Sequence, residues 1–288
     1  MKLHPLDHLV LPCASLDEAR ARLTALGFTV SPRGEHPFGT INCCVYFSDG
    51  TFIEPLAIGD ADKAEQAAKE GNVFVERDKL FRSRNGDNGF SALVLGTEDA
   101  DADHARFVKA GVSAGEILFF SRDFVDASGA KDKASFKLAF AADEKSQDAF
   151  AFACQRVNVP KVDKSELERH GNGVMRIKGV VAVSATPEKS SEFLTVAAGG
   201  QKFAANTTLL PNTELTVLNA EAFFERYGVA SPKSDELVFS AIRFGVADMN
   251  ATHTLLARNG VDNHKATDFI LVPSAPGQGA HIIFEENK

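Results

Sequence analysis

At 288 residues the chain is long for one hydrophobic core and well sized for two domains of about 100–200 residues each. With 44% hydrophobic and 24% charged residues it reads as a folded globular protein, and no run reaches the ~18 consecutive apolar residues of a membrane span. A net charge of −8 without any basic run argues against nucleic acid as a partner, because phosphate binding needs clustered Lys and Arg, so a small molecule is the expected partner.

The N-terminus, MKLHPLDHLVLPCAS, lacks the basic start and long apolar core of a signal peptide, and a cytoplasmic location is expected. Cys13, Cys43, Cys44 and Cys154 have neither the spacing of a disulfide framework nor that of a paired zinc site, which points to reduced thiols. The first strand is predicted over 6–11, apolar apart from Asp7 and His8. Ser15 with Glu18 three residues on has the spacing of a capping box, Leu16, Ala19, Leu23 and Leu26 recur on one helical face, and Gly27 marks the stop. Strands are then expected over 28–31, 41–48 and 51–57, the last two joined by a two-residue turn at Asp49-Gly50. That order is βαβββ, and a charged helical connector over 60–84 follows it.

The second module opens with FSALVLGTEDADADHARFVKAGV from Phe90, and the fourth with FSAIRFGVADMNATHTLLARNGV from Phe239. Aligned without a gap, these segments are identical at nine of 23 positions, which marks one supersecondary unit used twice. In the second module Asp99 caps a helix ending at Gly111, with strands near 117–121, 136–141 and 150–155. In the fourth, Asp248 starts a helix ending at Gly260, and strands fall over 269–273 and 281–285. The third module reads as a strand over 177–183, a helix opening at Thr186-Pro187, and strands over 206–210 and 214–218. A polar stretch, 158–173, containing Pro160 and Gly171, reads as a linker between a domain over 1–157 and a second over 174–288.

LDHLVLPCASLDEARARLTALGFTV, GEHPFGTIN from Gly34 and FIEPL from Phe52, set in four βαβββ modules, resemble the vicinal oxygen chelate superfamily and within it the glyoxalase-like branch. That superfamily also includes extradiol dioxygenases and bleomycin and fosfomycin resistance proteins. The resemblance implies an α+β fold in which modules pair into two cupped mixed sheets, and it allows a homodimer. It further implies a metal held by inward side chains of each module's first and last strands. His8 and Glu54 match the two ligand positions of the first module. The second module has Ala92 and Cys154 there, the third Gly179 and about Leu218, the fourth Ala241 and Glu285. Pairing modules one and two offers His8, Glu54 and Cys154, whereas pairing one and four offers His8, Glu54 and Glu285. The second set would hold a divalent ion such as Zn, Ni, Mn or Fe. Only one working cup per chain is expected, because Gly179 and Leu218 cannot bind a metal.

Each candidate also has a bland reading. A histidine in an apolar strand is ordinarily a hydrogen-bonded core residue. Glu54 is more telling, since a carboxylate between Ile53 and Pro55 is costly to bury unless a cation or hydrogen-bond donors meet it. Glu285 and His281 share a face of the last strand, or else simply fray with the C-terminus. Cys154 reads equally as a small buried hydrophobe, and His104 and His253 as solvated helix positions. His36, in a loop between Gly34 and Gly39, together with Asn42 and Phe52, is expected to contact substrate. Glu54 and Glu285 are the candidate catalytic carboxylates. A glyoxalase-type lyase or isomerase in which a metal polarises two adjacent oxygens is the leading expectation. Metal-free sequestration of an apolar compound, as in the resistance proteins, is the rival, and the 23 phenylalanines would suit either.

Overall fold

A computed structural model describes residues 3–125, 131–143, 146–160, 162–200, 202–204, 206–232 and 236–287. The first sheet contains β1 (Leu6–Pro12), β2 (Gly34–Glu35), β3 (Thr40–Asn42), β4 (Val45–Tyr46), β5 (Phe52–Ile58), β6 (Ala92–Thr97), β7 (Leu118–Val125), β8 (Lys131–Ala141) and β9 (Phe150–Asn158). The second contains β10 (Val174–Val183), β11 (Lys202–Ala204), β12 (Thr207–Leu209), β13 (Glu214–Leu218), β14 (Val238–Val246), β15 (His264–Lys265), β16 (Ile270–Val272) and β17 (His281–Glu286). Helices α1 (Leu16–Ala25), α4 (Ala100–Lys109), α5 (Pro187–Ala197) and α7 (Met249–Arg258) each follow the first strand of a module, while α2 (Ala61–Lys69), α3 (Val73–Asn85) and α6 (Ala220–Tyr227) lie in the connectors.

The order β2-β3-β5-β1-β6-β9-β8-β7, with β4 on β5, pairs the first module with the second. The order β11-β12-β13-β10-β14-β17-β16-β15 pairs the third with the fourth. Of the two pairings open to the sequence, the sequential one forms. In both sheets the central strands β1 and β6, or β10 and β14, run antiparallel, and each is parallel to the last strand of its own module.

Alternation along the strands decides which face goes where. Leu9, Leu11, Ile53, Leu93 and Leu95 join Ile177, Val180, Ile242, Phe244 and Phe284 in one core shared by both sheets. Val10, Leu56, Ala92, Val94 and Phe152 point the other way, into the first cup. Val181, Val183, Ala241 and Ile283 point into the second, where Phe223 and Tyr227 of α6 close over them. Burying the joining faces of both sheets in one core fuses the halves.

The helix signals behave as their chemistry requires. The side chains of Ser15, Asp99 and Asp248 accept hydrogen bonds from the first turns of α1, α4 and α7. Three strand expectations need correction. Residues 28–31 form no strand, because Phe28 turns into the shared core against Phe47 and Phe244. The 41–48 segment breaks into β3 and β4 around buried Cys43 and Cys44. The turn at Asp49-Gly50 spans three residues, with Phe47 N–H bonded to Thr51 O and Gly50 at φ 86°. No helix among the described residues is long and apolar enough to cross a membrane.

Candidate functional site

The first cup is built around β1 and β5. His8 lies opposite Phe52 in the parallel register and opposite Val94 in the antiparallel one, and Glu54 lies two residues further along β5. Phe52 and Glu54 therefore share a face, and Ile53 between them faces the core. Adjacent strand residues normally point to opposite faces, but the β1–β6 register shifts between Leu6 and His8. That irregularity lets Asp7 and His8 both line the cup.

Asp7 Oδ1 lies 2.6 Å from His8 Nδ1, and since an ionised carboxylate only accepts, Nδ1 carries the proton. This leaves His8 Nε2 facing Glu54 Oε2 at 3.4 Å. The other oxygen, Oε1, accepts from Asn42 Nδ2 at 2.6 Å and lies 3.7 Å from His36 Nε2. Arg156 Nη2 reaches Asp7 at 2.8 Å, which completes a line of charge Arg156–Asp7–His8–Glu54. His36 is fixed by Thr40, with Nδ1 2.8 Å from its hydroxyl oxygen, and the loop bends at Gly39. Gly39 has φ 90°, and a side chain there would strike the backbone of Asp60 and Ala64.

Burial disfavours charge on His8, yet hydrogen bonds to Asp7 and Glu54 outweigh it and hold the pKa above the ordinary histidine value. Burial likewise works against ionised Glu54 and Asp7, and their hydrogen bonds to His8 bring both below the usual carboxylate range. His36 behaves oppositely: burial lowers it to about 4, with Glu54 only partly compensating, and its imidazole is neutral at neutral pH. Two histidines beside one carboxylate thus shift in opposite directions.

Aromatic rings wall this floor. The His8 ring stacks on Phe52 at 4.3 Å and that of His36 on Phe38 at 5.0 Å, while Phe74 of α3 meets both His36 and Phe152 edge-on. Phe120 and Phe136 stack on the far side at 5.2 Å. Arg122, Arg156 and Lys164 stand among the lining residues, with Lys164 Nζ 4.0 Å from the centre of the Tyr46 ring. The segment expected to be a linker packs against the first half, because His170 takes a hydrogen bond from Thr29 N–H and contacts Tyr46 O, and it delivers Val159, Pro160, Val162 and Lys164 to the pocket.

Of the residues singled out in the sequence, His8, His36, Asn42, Phe52, Glu54 and Cys154 meet here. Glu285 does not. It lies in β17 of the second sheet, where Arg243 grips both its oxygens at 2.7 and 2.8 Å and Lys178 adds a third contact. Arg243 also pairs with Glu214, and Gly179 leaves the space these groups occupy. The second cup is thereby filled with ion pairs where the first holds His8 and Glu54. His281 is held by Ser274 N–H and Ala230 O against Phe223. In the first sheet the register sets Val94 opposite His8, so the second module contributes no ligand there other than the Cys154 thiol, whose pKa burial raises far above its usual value. Among the described residues no three His, Cys, Asp or Glu side chains are disposed to hold a metal ion, and the donor set implied by the resemblance is incomplete.

A family model described as a glyoxalase-like domain matches residues 6–197. No curated protein matches significantly. Solved structures with the same fold include a hypothetical protein from Staphylococcus aureus, 16% identical over 98% of both chains with a TM-score of 0.65. A mutant 4-hydroxymandelate synthase from Streptomyces coelicolor is 14% identical, with 99% of this chain and 93% of that one covered and a TM-score of 0.64. The Mn(II)-bound glyoxalase from Novosphingobium aromaticivorans is 11% identical, covering 99% and 82%, with a TM-score of 0.52.

Proposed function

Because the chain belongs to the glyoxalase-like domain family, we propose that it is a small-molecule lyase or isomerase in which the His8–Glu54 pair moves a proton on a carbon beside a carbonyl. The observation that carries this reading is the buried line Asp7–His8–Glu54 at the base of an aromatic pocket, anchored at its outer end by Arg156. With Nδ1 held by Asp7, His8 exchanges its proton only through Nε2, the nitrogen that faces Glu54. Ionised Glu54, paired with His8, would take the α-proton, the electron pair of the broken C–H bond moving onto the carbonyl oxygen as an enolate. The His8 imidazolium, the form its raised pKa favours, stabilises the enolate, and return of the proton from Glu54 to another position completes an isomerisation. Expulsion of a β-substituent from the enolate would complete an elimination instead. Asn42 and His36 hold Glu54 in place. Glu285, engaged by Arg243 and Lys178, has no part in this reaction.

The second reading, sequestration without chemistry, is favoured by the phenylalanine walls and uses the same pocket. Incubation in D2O with a panel of α-CH carbonyl compounds, followed by proton NMR, separates the two. Wild type should exchange the α-proton of at least one compound, and His8→Gln and Glu54→Gln should abolish exchange while remaining folded. Tight binding of a compound whose α-proton never exchanges would support sequestration instead. Parallel arms with chelator and with added Mn(II) report whether the exchange depends on a metal.

A further inference from the structure

We propose that this pocket takes a small organic monoanion, a carboxylate on an aromatic body, with the acid end on Arg122 and Lys164 and the body between the phenylalanines. The proposal rests on the pocket of the preceding section being the working site and goes on to name what it accepts. Three cations, Arg122, Arg156 and Lys164, line it against two carboxylates, Asp7 and Glu54. Asp7 is committed to Arg156 and His8, and Glu54 to His8 and Asn42. Among the described residues neither Arg122 nor Lys164 has a carboxylate within ion-pair distance, although Glu168 and Asp7 act on Lys164 from further off, and both cations are partly buried. A desolvated cation without a counter-ion is unfavourable, and such a site is ready to accept an anion.

Glu168 attracts Lys164 from outside the pocket, but no group lining the pocket can fill that role. Cys44 and Tyr46, which feel the charge of both Arg122 and Lys164 or lie against them, are the nearest acidic hydrogens. Burial raises the Cys44 thiol, and its coupling to Cys44 raises the Tyr46 phenol, so both remain protonated at neutral pH. The two cations sit on aromatic platforms, Lys164 over Tyr46 at 4.0 Å and Arg122 over Phe136 at 5.8 Å, an arrangement in which their N–H donors, unbonded to any described residue, can turn to a planar carboxylate. Beyond them, Phe38, Phe74, Phe120 and Phe152 offer ring faces and edges around the neutral His36. A second carboxylate at that end would meet no unpaired cation and would face the Glu54 carboxylate, so the site selects an acid with one charged end and a flat apolar other end.

Three probes test this: 3-phenylpropanoate, its uncharged primary amide, and glutarate. Dissociation constants are measured by ligand-observed NMR at low salt. The acid should bind at least tenfold tighter than the amide, and glutarate should bind far more weakly than the acid. Arg122→Gln and Lys164→Gln should each weaken the acid about tenfold and leave the amide unchanged, whereas Lys69→Gln, an exposed cation on α2, should change neither. Arg122→Lys, which keeps the charge, should retain the preference and supplies the comparison if Arg122→Gln proves unfolded by circular dichroism. Equal binding of acid and amide, survival of the preference in a folded Arg122→Gln, or binding of neither aromatic probe at millimolar concentration would overturn the proposal. His8→Gln should lose proton exchange yet keep the preference for the acid. An intact preference in a wild type that exchanges no α-proton would therefore count against the proposed reaction and not against this ligand class.

Discussion

Phe90 and Phe239, which stand at the same place in the two similar segments 149 residues apart, stack on each other with ring centroids 4.6 Å apart and 28° between planes. Both are buried in the core shared by the two sheets, so matching positions of the second and fourth modules meet where the halves join. Truncation of either ring to Ala should cost about 3–5 kcal/mol. The Phe90→Ala/Phe239→Ala cycle should show a coupling of about 0.5–1.5 kcal/mol, measured by denaturant unfolding. Additive losses would mean that each ring only fills volume in its own half.

The two site histidines should titrate in opposite directions. NMR titration is expected to place His36 near pH 4 and His8 above the ordinary value of about 6.5. The signs for stability follow. His8 is raised, so its contribution is complete below about pH 6.5 and is lost as pH rises through its folded value. His36 is lowered, so its contribution is complete above about pH 6.5 and is lost as pH falls toward 4. Glu54→Gln removes the partner of both and should lower both values, and unchanged titrations would show that the carboxylate does not couple them.

Gly34 has a job that its loop position conceals. A Cβ there would overlap Asn42 Oδ1 and approach Arg122 Nη1 to 3.3 Å. Since Asn42 donates to Glu54, Gly34→Ala should displace the carboxylate's partner and cut proton exchange about tenfold. The stability cost should be about 1–3 kcal/mol. Wild-type exchange rates with a normal melting temperature would refute the link.

Glu54 and Glu285 should respond differently to the same change. Glu285→Gln leaves Arg243 and Lys178 without a full partner and should destabilise the fold by about 3 kcal/mol, with binding intact. Glu54→Gln should instead abolish exchange with little loss of stability, because Asn42 and His8 can still hydrogen-bond to the amide. Thermal melting with a parallel binding titration checks both. The wild-type titration should saturate at one ligand per chain, since ion pairs fill the second cup.

Metal is the remaining test. With His8 and Glu54 tied to Asp7, Asn42 and each other, and with Val94 rather than a donor opposite His8, addition of Zn(II), Ni(II) or Mn(II) is expected to shift the melting temperature by less than a degree or two. A saturable stabilisation of several degrees, lost in His36→Ala as well as in His8→Ala, would mean that two imidazoles and the Glu54 carboxylate close around an ion after all.

Much of the fold was legible because it depends on local chemistry. Ser15, Asp99 and Asp248 cap helices through short-range hydrogen bonds, and Gly27, Gly111 and Gly260 take the positive φ that ends them. Glu54 stood out for a similar reason, as an acid in an otherwise apolar strand. Asp7 did not, although it lies next to His8, because strict alternation would turn it away from the cup and only a shift in strand register brings it in. Arg122, Arg156 and Lys164 gave no signal of their own, being single charged residues on two strands and a polar connector.

What the sequence by itself determined is the set of modules, their caps and the two residues, His8 and Glu54, around which a site could form. Periodicity and capping act over a few residues and are written along the chain. Which modules share a sheet, that Glu285 ends in an ion pair with Arg243 instead of beside Glu54, and that Arg156 reaches Asp7 across 149 positions were decided only by tertiary structure. Those outcomes depend on which apolar faces bury one another. Burial of the joining faces in a shared core leaves one cup lined with an Asp–His–Glu line and the other closed by salt bridges.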